Sequence, residues 1–202
     1  MMPSAAITSL EWVRVNNVDM VNYGLIGCGM MGREHLSNIA LLPGTHVAAI
    51  FEPDAAMAAQ ARALAPGAAM VGSVAELLAV EALDAVVIVS PNYCQAAQLA
   101  QIAETRPLPV LVEKPLFTDP ADAATIASLG ASYPAPIWVA MEYRYMPPVA
   151  MLIDKVQAAT GGPLMLSIRE HRFPFLHKVG NWNRFNKNSG GTLVEKCCHY
   201  FD

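Results

Sequence analysis

Charge is scarce in this sequence. Asp, Glu, Lys and Arg make up 15% of its 202 residues, and the basic ones are the fewer, 13 against 17, leaving a formal net charge of −4 and an isoelectric point of about 5.7. A chain without a basic excess carries no electrostatic footprint for a polyanion, so nucleic acid is not an expected partner. Cysteine is also sparse. Cys28, Cys94, Cys197 and Cys198 show no C-x-x-C spacing, and no basic region followed by an apolar one opens the chain; both point to reduced thiols in a cytoplasmic protein. No apolar run reaches the roughly 18 to 20 residues of a membrane span, because the alanine-rich stretches are interrupted by Glu, Asp, Gln and Arg. There is no internal repeat and no low-complexity tail. What the chain does have is apolar bulk, 54% hydrophobic residues with a mean hydropathy of +0.33, which excludes intrinsic disorder and permits a large core.

That bulk is patterned. Short β-branched runs alternate with Ala/Leu-rich stretches of helical period, the arrangement of βαβ units around a parallel sheet. Strands are expected at Val21–Ile26, His46–Phe51, Ala69–Val71, Ala85–Ser90, Val110–Val112 and Ile137–Met141. Helices are expected between them at Met31–Leu41, Asp54–Ala63, Val74–Leu78, Cys94–Glu104 and Pro120–Ala131, with Ser73 and Glu76 forming a capping box. Unbroken runs such as Ala85-Val86-Val87-Ile88-Val89 indicate strands covered on both faces. Residues 1–19 carry no clear period and are expected to be a loosely ordered extension. After about Tyr143 the character changes: a helical stretch to Ala159, an alternating strand Leu164–Phe173, a long loop Pro174–Ser189, and a helix opened by Gly190-Gly191 that is still running at Asp202. The expected division is therefore 20–143 as a first domain and 144–202 as part of a second.

The first chemical signal is Gly27-Cys28-Gly29-Met30-Met31-Gly32, directly after a strand and directly before a helix. In a dinucleotide-binding loop the first glycine makes the turn, the second lets a pyrophosphate approach the backbone, and the third lets helix and strand pack closely, while the helix N-terminus supplies free N–H groups. Glu52 ends the second strand twenty residues after Gly32, the spacing of the carboxylate that accepts from ribose hydroxyls. A carboxylate there repels a 2′-phosphate, and Pro53-Asp54-Ala55 offers no arginine, so NAD is expected in preference to NADP. Cys28 reads as a packing residue, although a helix N-terminus would lower its pKa.

The second signal is Glu113-Lys114-Pro115 at the end of the fifth expected strand, the carboxyl edge where open α/β sheets bind ligands; taken alone, a charged strand end is also what a solvated turn looks like. The third is Glu195 and His199, four apart and so on one face of a helix. A carboxylate can then orient an imidazole suited to proton exchange near neutrality, an exposed surface pair being the plainer reading. Cys197, Cys198 and His199 invite a zinc reading, but adjacent helical residues diverge by about 100° and no second cysteine pair closes a tetrahedral shell, so no metal is expected.

The order of these motifs, glycine loop, acidic strand end, Ser90-Pro91-Asn92, Glu113-Lys114-Pro115, Tyr143-Arg144-Tyr145-x-Pro147 and Glu195-x-x-x-His199, resembles the glucose-fructose oxidoreductase, inositol dehydrogenase and MocA-like (Gfo/Idh/MocA) family from about Met20 to Asp202. The resemblance implies an α/β fold, an amino-terminal Rossmann domain followed by the start of an α+β mixed-sheet substrate domain. It implies Lys114, His199 and Glu195 as catalytic residues and Gly27, Cys28, Gly29, Met30, Met31, Gly32, Glu52, Ser90, Pro91, Asn92, Glu113 and Lys114 around the NAD, with Arg144, His171, Arg172 and Trp182 on the substrate side. Members commonly carry Asp where Glu195 stands and His where Gln95 stands; glutamine cannot titrate, so Gln95 is given no proton-transfer role. The implied activity is hydride transfer between nicotinamide and a hydroxyl-bearing carbon of a sugar, inositol or related polyol, in a protein that is a homo-oligomer when full length. Two alternatives accompany it, a redox-neutral NAD-dependent glycosidase and a non-catalytic NAD-binding sensor, against which the joint retention of Lys114, Glu195 and His199 argues. The chain is expected to be carboxy-terminally truncated, binding NAD but turning over poorly by itself.

Overall fold

The computed structural model describes residues 20–162, 165, 167–169, 171 and 177–202. Six strands, β1 (Val21–Ile26), β2 (Thr45–Phe51), β3 (Ala69–Val71), β4 (Ala85–Ile88), β5 (Val110–Val112) and β6 (Ile137–Val139), form one sheet in the order β3-β2-β1-β4-β5-β6. Every neighbouring pair is parallel. The connections are α1 (Met30–Ala40), α2 (Ala55–Leu64), α3 (Val74–Leu78), α4 (Asn92–Thr105) and α5 (Ala123–Ser132). The order reverses between β1 and β4, so the crevice for a ligand lies beyond the carboxyl ends of those two strands.

Strand alternation sorts the core into two layers. Leu25, Val47, Ile50, Val87 and Val89 meet Leu36 and Ile39 of α1 and Ala61 of α2 on one face. Ile26, Ala49, Val86, Ile88, Val110 and Val112 meet α3 and α4 through Leu77, Leu78, Leu99 and Ile102 on the other. Most of these side chains are fully buried, each stabilising the fold by about 1.5–3 kcal/mol relative to exposure. The helices begin where the sequence supplies caps: Asp54 accepts from the Met57 N–H at 2.9 Å and Ser73 from the Glu76 N–H at 3.1 Å. The return bond of the expected capping box goes one residue upstream, from Gly72 N–H to Glu76 Oε2 at 2.8 Å.

Arg106, just past α4, closes the turn between α3 and β4. Its guanidinium donates to the carbonyls of Leu78, Val80, Glu81 and Leu83 at 2.7–3.2 Å. Arg106→Ala should therefore lower stability by about 2–3 kcal/mol, measured as a fall in Tm. Arg106→Lys should recover little, since an ammonium has three donors and no fork.

The expected elements differ from the observed ones mainly at their ends. The ladder of β4 stops at Ile88 rather than Ser90 and that of β6 at Val139 rather than Met141. The single helix expected over Pro120–Ala131 is a 3-10 turn, Pro120–Asp122, capped by Asp119, running into α5. Beyond β6 come a 3-10 turn, Glu142–Tyr145, and α6 (Pro147–Thr160). The strand expected at Leu164–Phe173 lies partly outside the described residues, and its described members adopt no regular element. The expected loop Pro174–Ser189 holds a turn at Val179–Arg184, with Gly180 and Asn181 at positive φ, and α7 (Asn186–Ser189).

The last helix differs most. Instead of one helix from Gly191, two short ones form, α8 (Gly191–Glu195) and α9 (Cys198–Phe201). The N–H groups of Lys196 and Cys197 both bond the Thr192 carbonyl, at 3.0 and 3.1 Å; the second spans five residues, which widens the turn and ends the helical repeat between Glu195 and His199. Among the described residues no helix is long and apolar enough to cross a membrane.

Candidate functional site

The glycine loop joins β1 to α1, and its three glycines do different things. Gly27 sits at φ +91°, and a Cβ there would stand 2.6 Å from the backbone nitrogen of Ser90; no side chain fits between the adjacent strands β1 and β4. A Cβ on Gly32 would stand 2.6 Å from the Gly27 carbonyl oxygen, so this residue lets α1 lie against the loop. A Cβ on Gly29 would meet no protein atom within 4 Å. Gly29 is also the N-cap of α1, with no side chain bonding the first helical N–H groups. An open cradle at an uncapped helix N-terminus suits a pyrophosphate. Met30 and Met31 open α1, Met30 exposed and Met31 packed against the core.

Glu52 leaves β2 and turns back to the loop. Its carboxylate accepts from Cys28 N–H at 2.6 Å and from Asp54 N–H at 2.9 Å. Two backbone bonds leave acceptor capacity on the oxygens, enough for ribose hydroxyls. Cys28 is fully buried, and burial first, then the nearby Glu52, pushes its thiol up to about 12. Desolvation thus outweighs the helix N-terminus that was expected to lower it, and Cys28 is a packing residue. Across the crevice, Ser90-Pro91-Asn92 leads into α4. Gln95 is buried and donates to the Ser90 carbonyl at 3.1 Å, while the amide nitrogen of buried Asn92 has no partner among the described residues. A buried donor without an acceptor is costly, and it stands on the side of the crevice where the far half of a dinucleotide would lie. Gly29, Glu52 and Asn92 together fit NAD.

Lys114 follows β5, with a cis bond to Pro115. Its Nζ donates to the Glu195 carbonyl at 3.1 Å, which joins the strand edge to α8. Glu113 is buried, accepts the Lys114 N–H at 3.2 Å and lies 2.8 Å from His35 Nε2 of α1. His199 is buried in α9. Its ring stacks on Tyr143 with centroids 4.1 Å apart and planes at 7°, and its Nε2 lies 3.5 Å from Glu142 Oε1. Lys196 Nζ donates to the Tyr143 hydroxyl at 2.6 Å.

Among the described residues the carboxylate beside His199 is thus Glu142 and not Glu195, whose helix ends before α9 begins. Glu195 instead contributes its backbone carbonyl to Lys114. Burial raises the carboxyl pKa of both, opposed in Glu195 by the Lys114 and Lys178 charges. Of the expected substrate-side residues, Arg144 is engaged by the Asp202 carboxylate through Nε at 2.6 Å and through Nη2. His171 is exposed and in no regular element, and Arg172 lies outside the described residues. Trp182 stands edge-on to Tyr93, with ring centroids 6.1 Å apart, and 6.0 Å below Lys178 Nζ. Burial lowers the Lys178 pKa, with Glu195 and Lys114 among its charged neighbours, so Lys178 belongs to this cluster. Sequence reasoning missed His35, Glu142, Lys178 and Lys196. His35 alone had a signal, its place on the sheet-facing stripe of Gly32, Leu36 and Ile39. Among the described residues no group of three His, Cys, Asp or Glu could hold a metal ion.

Comparison with known proteins identifies the family. A family model described as "Oxidoreductase family, NAD-binding Rossmann fold" (Gfo/Idh/MocA) matches residues 21–141. The chain is 33% identical over 181 residues to an inositol 2-dehydrogenase of Corynebacterium glutamicum (strain R), a match covering 89% of this chain and 51% of the relative. A myo-inositol dehydrogenase from Lactobacillus casei, solved in complex with NAD(H) and myo-inositol, superposes with a TM-score of 0.64 at 28% identity, covering 70% of this chain and 42% of that one. The WlbA dehydrogenase from Bordetella pertussis shares the fold with a TM-score of 0.78 at 20% identity, over 90% of this chain and 55% of that one. The chain spans about half the length of the curated relatives it matches. With the glycine loop, the acidic end of β2 and the sheet order all in place, the chain belongs to the Gfo/Idh/MocA oxidoreductase family and carries its NAD-binding Rossmann fold.

Proposed function

We propose that this chain binds NAD and takes part in oxidising a hydroxyl-bearing carbon of an inositol or related polyol. The observation that carries the reading is the 3.1 Å bond from Lys114 Nζ to the Glu195 carbonyl, which joins the lysine at the sheet's carboxyl edge to α8, the helix before the one that carries His199. The inositol class is supported by the inositol dehydrogenases among its relatives.

Gly29 and the N-terminus of α1 would hold the pyrophosphate, Glu52 the adenosine ribose and Asn92 the nicotinamide half. Bound NAD supplies the hydride acceptor, and the protein supplies orientation and charge. Lys114 uses one of its three donors on Glu195, which aims the others at the substrate oxygen and places a cation beside the negative charge that develops there. His199 takes the hydroxyl proton. Tyr143 holds the imidazole by stacking, and Glu142, whose side chain is 53% exposed, gives the proton a way from Nε2 to solvent. Lys178 and Trp182, in contact with each other, would face the substrate, Lys114 being among the charged neighbours of Lys178. The same reading takes the protein to be cytoplasmic and a homo-oligomer; Trp138 of β6, exposed and stacked on Tyr145, supports association.

The test is calorimetric titration with NAD, followed by NADH absorbance with inositols and sugars as substrates. We expect NAD to bind and an inositol to yield NADH slowly. NAD binding with no NADH from any inositol or sugar would sink the dehydrogenase reading, and absence of NAD binding would sink the whole of it. For the cofactor, Glu52→Ser should weaken NAD and narrow its advantage over NADP at least tenfold, about 1.4 kcal/mol. A wild-type chain that already prefers NADP overturns the role given to Glu52.

A further inference from the structure

We propose that His35 is a positioning residue for Lys114, acting through Glu113, so that the helix behind the cofactor loop and the lysine at the substrate are held by one buried pair. The functional meaning of the proposal rests on the reading of Lys114 above; the mechanical link does not.

Strand parity puts Glu113 where it is. Leu111 lies on the α1 face of the sheet, and Glu113, two residues on, keeps that face while stepping past the end of the ladder. It arrives beneath α1, where Leu36 and Ile39 are buried and an apolar side chain would pack as well. A buried carboxylate in such a place is unfavourable unless it is bonded. Both its oxygens are: Oε1 lies 2.8 Å from His35 Nε2 and Oε2 accepts the Lys114 N–H at 3.2 Å. The side chains of His35 and Glu113 are only 17% and 9% exposed, so water competes weakly for either contact. With one oxygen pinned by α1 and the other by the Lys114 backbone, the carboxylate fixes the peptide from which the lysine side chain starts. His35 stands five residues after Met30, the first residue of α1, about 7.5 Å along its axis, so a group seated on the loop and the lysine bear on the same rigid element. Glu113 was expected only as a neighbour of the NAD, and His35 had no expected role.

The test reads Lys114 directly. The chain has five lysines, so reductive methylation with carbon-13 gives a small set of resonances, with Lys114→Arg identifying the one in question. His35→Leu removes the contact. His35→Gln restores it, because its amide nitrogen is as many bonds from the backbone as Nε2. His35→Asn stops one bond short and serves as a polar control should the leucine variant fail to fold. We expect the Lys114 resonance, without cofactor, to move in His35→Leu and His35→Asn and to return in His35→Gln, while those of Lys155 and Lys187, which lie on α6 and α7, stay in place. A Lys114 resonance that does not move, that moves equally in all three variants, or that moves no more than those of Lys155 and Lys187 would overturn the proposal. NAD added to the same wild-type sample tests the cofactor reading separately, since a failure to bind leaves the cofactor-free comparison intact.

Discussion

Gly29→Val should leave the fold standing and remove dinucleotide binding. The three loop glycines are separable because they face different things. At Gly27 and Gly32 a Cβ would stand 2.6 Å from backbone atoms of Ser90 and Gly27 respectively, whereas at Gly29 it would meet nothing within 4 Å. Gly29 is also at φ −63° with extended backbone, so a side chain there brings no left-handed strain. Valine at 29 therefore fills only the space in which a pyrophosphate would approach the N-terminal N–H groups of α1. We expect a Tm close to wild type and an NAD affinity at least a hundredfold lower, about 2.7 kcal/mol. Gly27→Ala should behave differently, since it adds about 1–2 kcal/mol of left-handed cost to a clash with the β4 end, lowering Tm and NAD affinity together. Calorimetry and a thermal melt on the two variants decide the matter. Unchanged NAD affinity in Gly29→Val would show that the cradle is not where the cofactor sits.

Lys114→Met should lower turnover by about 10²–10³-fold, the usual loss when one donor to a developing oxyanion is removed, with NAD affinity within a few-fold of wild type. Methionine keeps much of the length and apolar stem and deletes only the ammonium. The lysine both faces the proposed substrate position and donates to the Glu195 carbonyl, so a second variant is needed to separate charge from anchoring. Lys114→Arg retains a donor and a cation but changes the reach; partial recovery of turnover assigns the loss to charge. His199→Asn should give a loss of similar size, because the proton acceptor is gone. NADH formation with an inositol as substrate measures all three, and undiminished turnover in Lys114→Met or His199→Asn would remove that residue from the mechanism.

The parts of this site that were legible in the sequence are those set by neighbours along the chain. Glycine spacing, the strand before it, the helix after it and the carboxylate at position 52 are local facts, and the structure joins Glu52 to the loop through the Cys28 N–H. The pairing of Glu195 with His199 was also drawn from a local rule, the four-residue spacing of a helix, and it failed because the Thr192 carbonyl takes two N–H groups and breaks that helix. The carboxylate that does face His199 lies on the turn after β6, and nothing about residue 142 in the sequence announces a partner at 199. Cys28, read from the sequence as a packing residue, is one: it is fully buried, and that burial outweighs the helix N-terminus.

What the sequence by itself determined is the Rossmann sheet, through apolar runs of strand length alternating with helical stripes, and the kind of cofactor, through three glycines and one carboxylate at fixed separations. Periodicity and spacing are properties of a single segment and survive without knowledge of the rest. Only the tertiary structure decided which charged groups meet: His35 with Glu113 across 78 residues and Lys114 with Glu195 across 81. Those meetings depend on which face of the sheet a strand end presents and on where a helix is cut short, and both are settled by packing between segments distant in the chain.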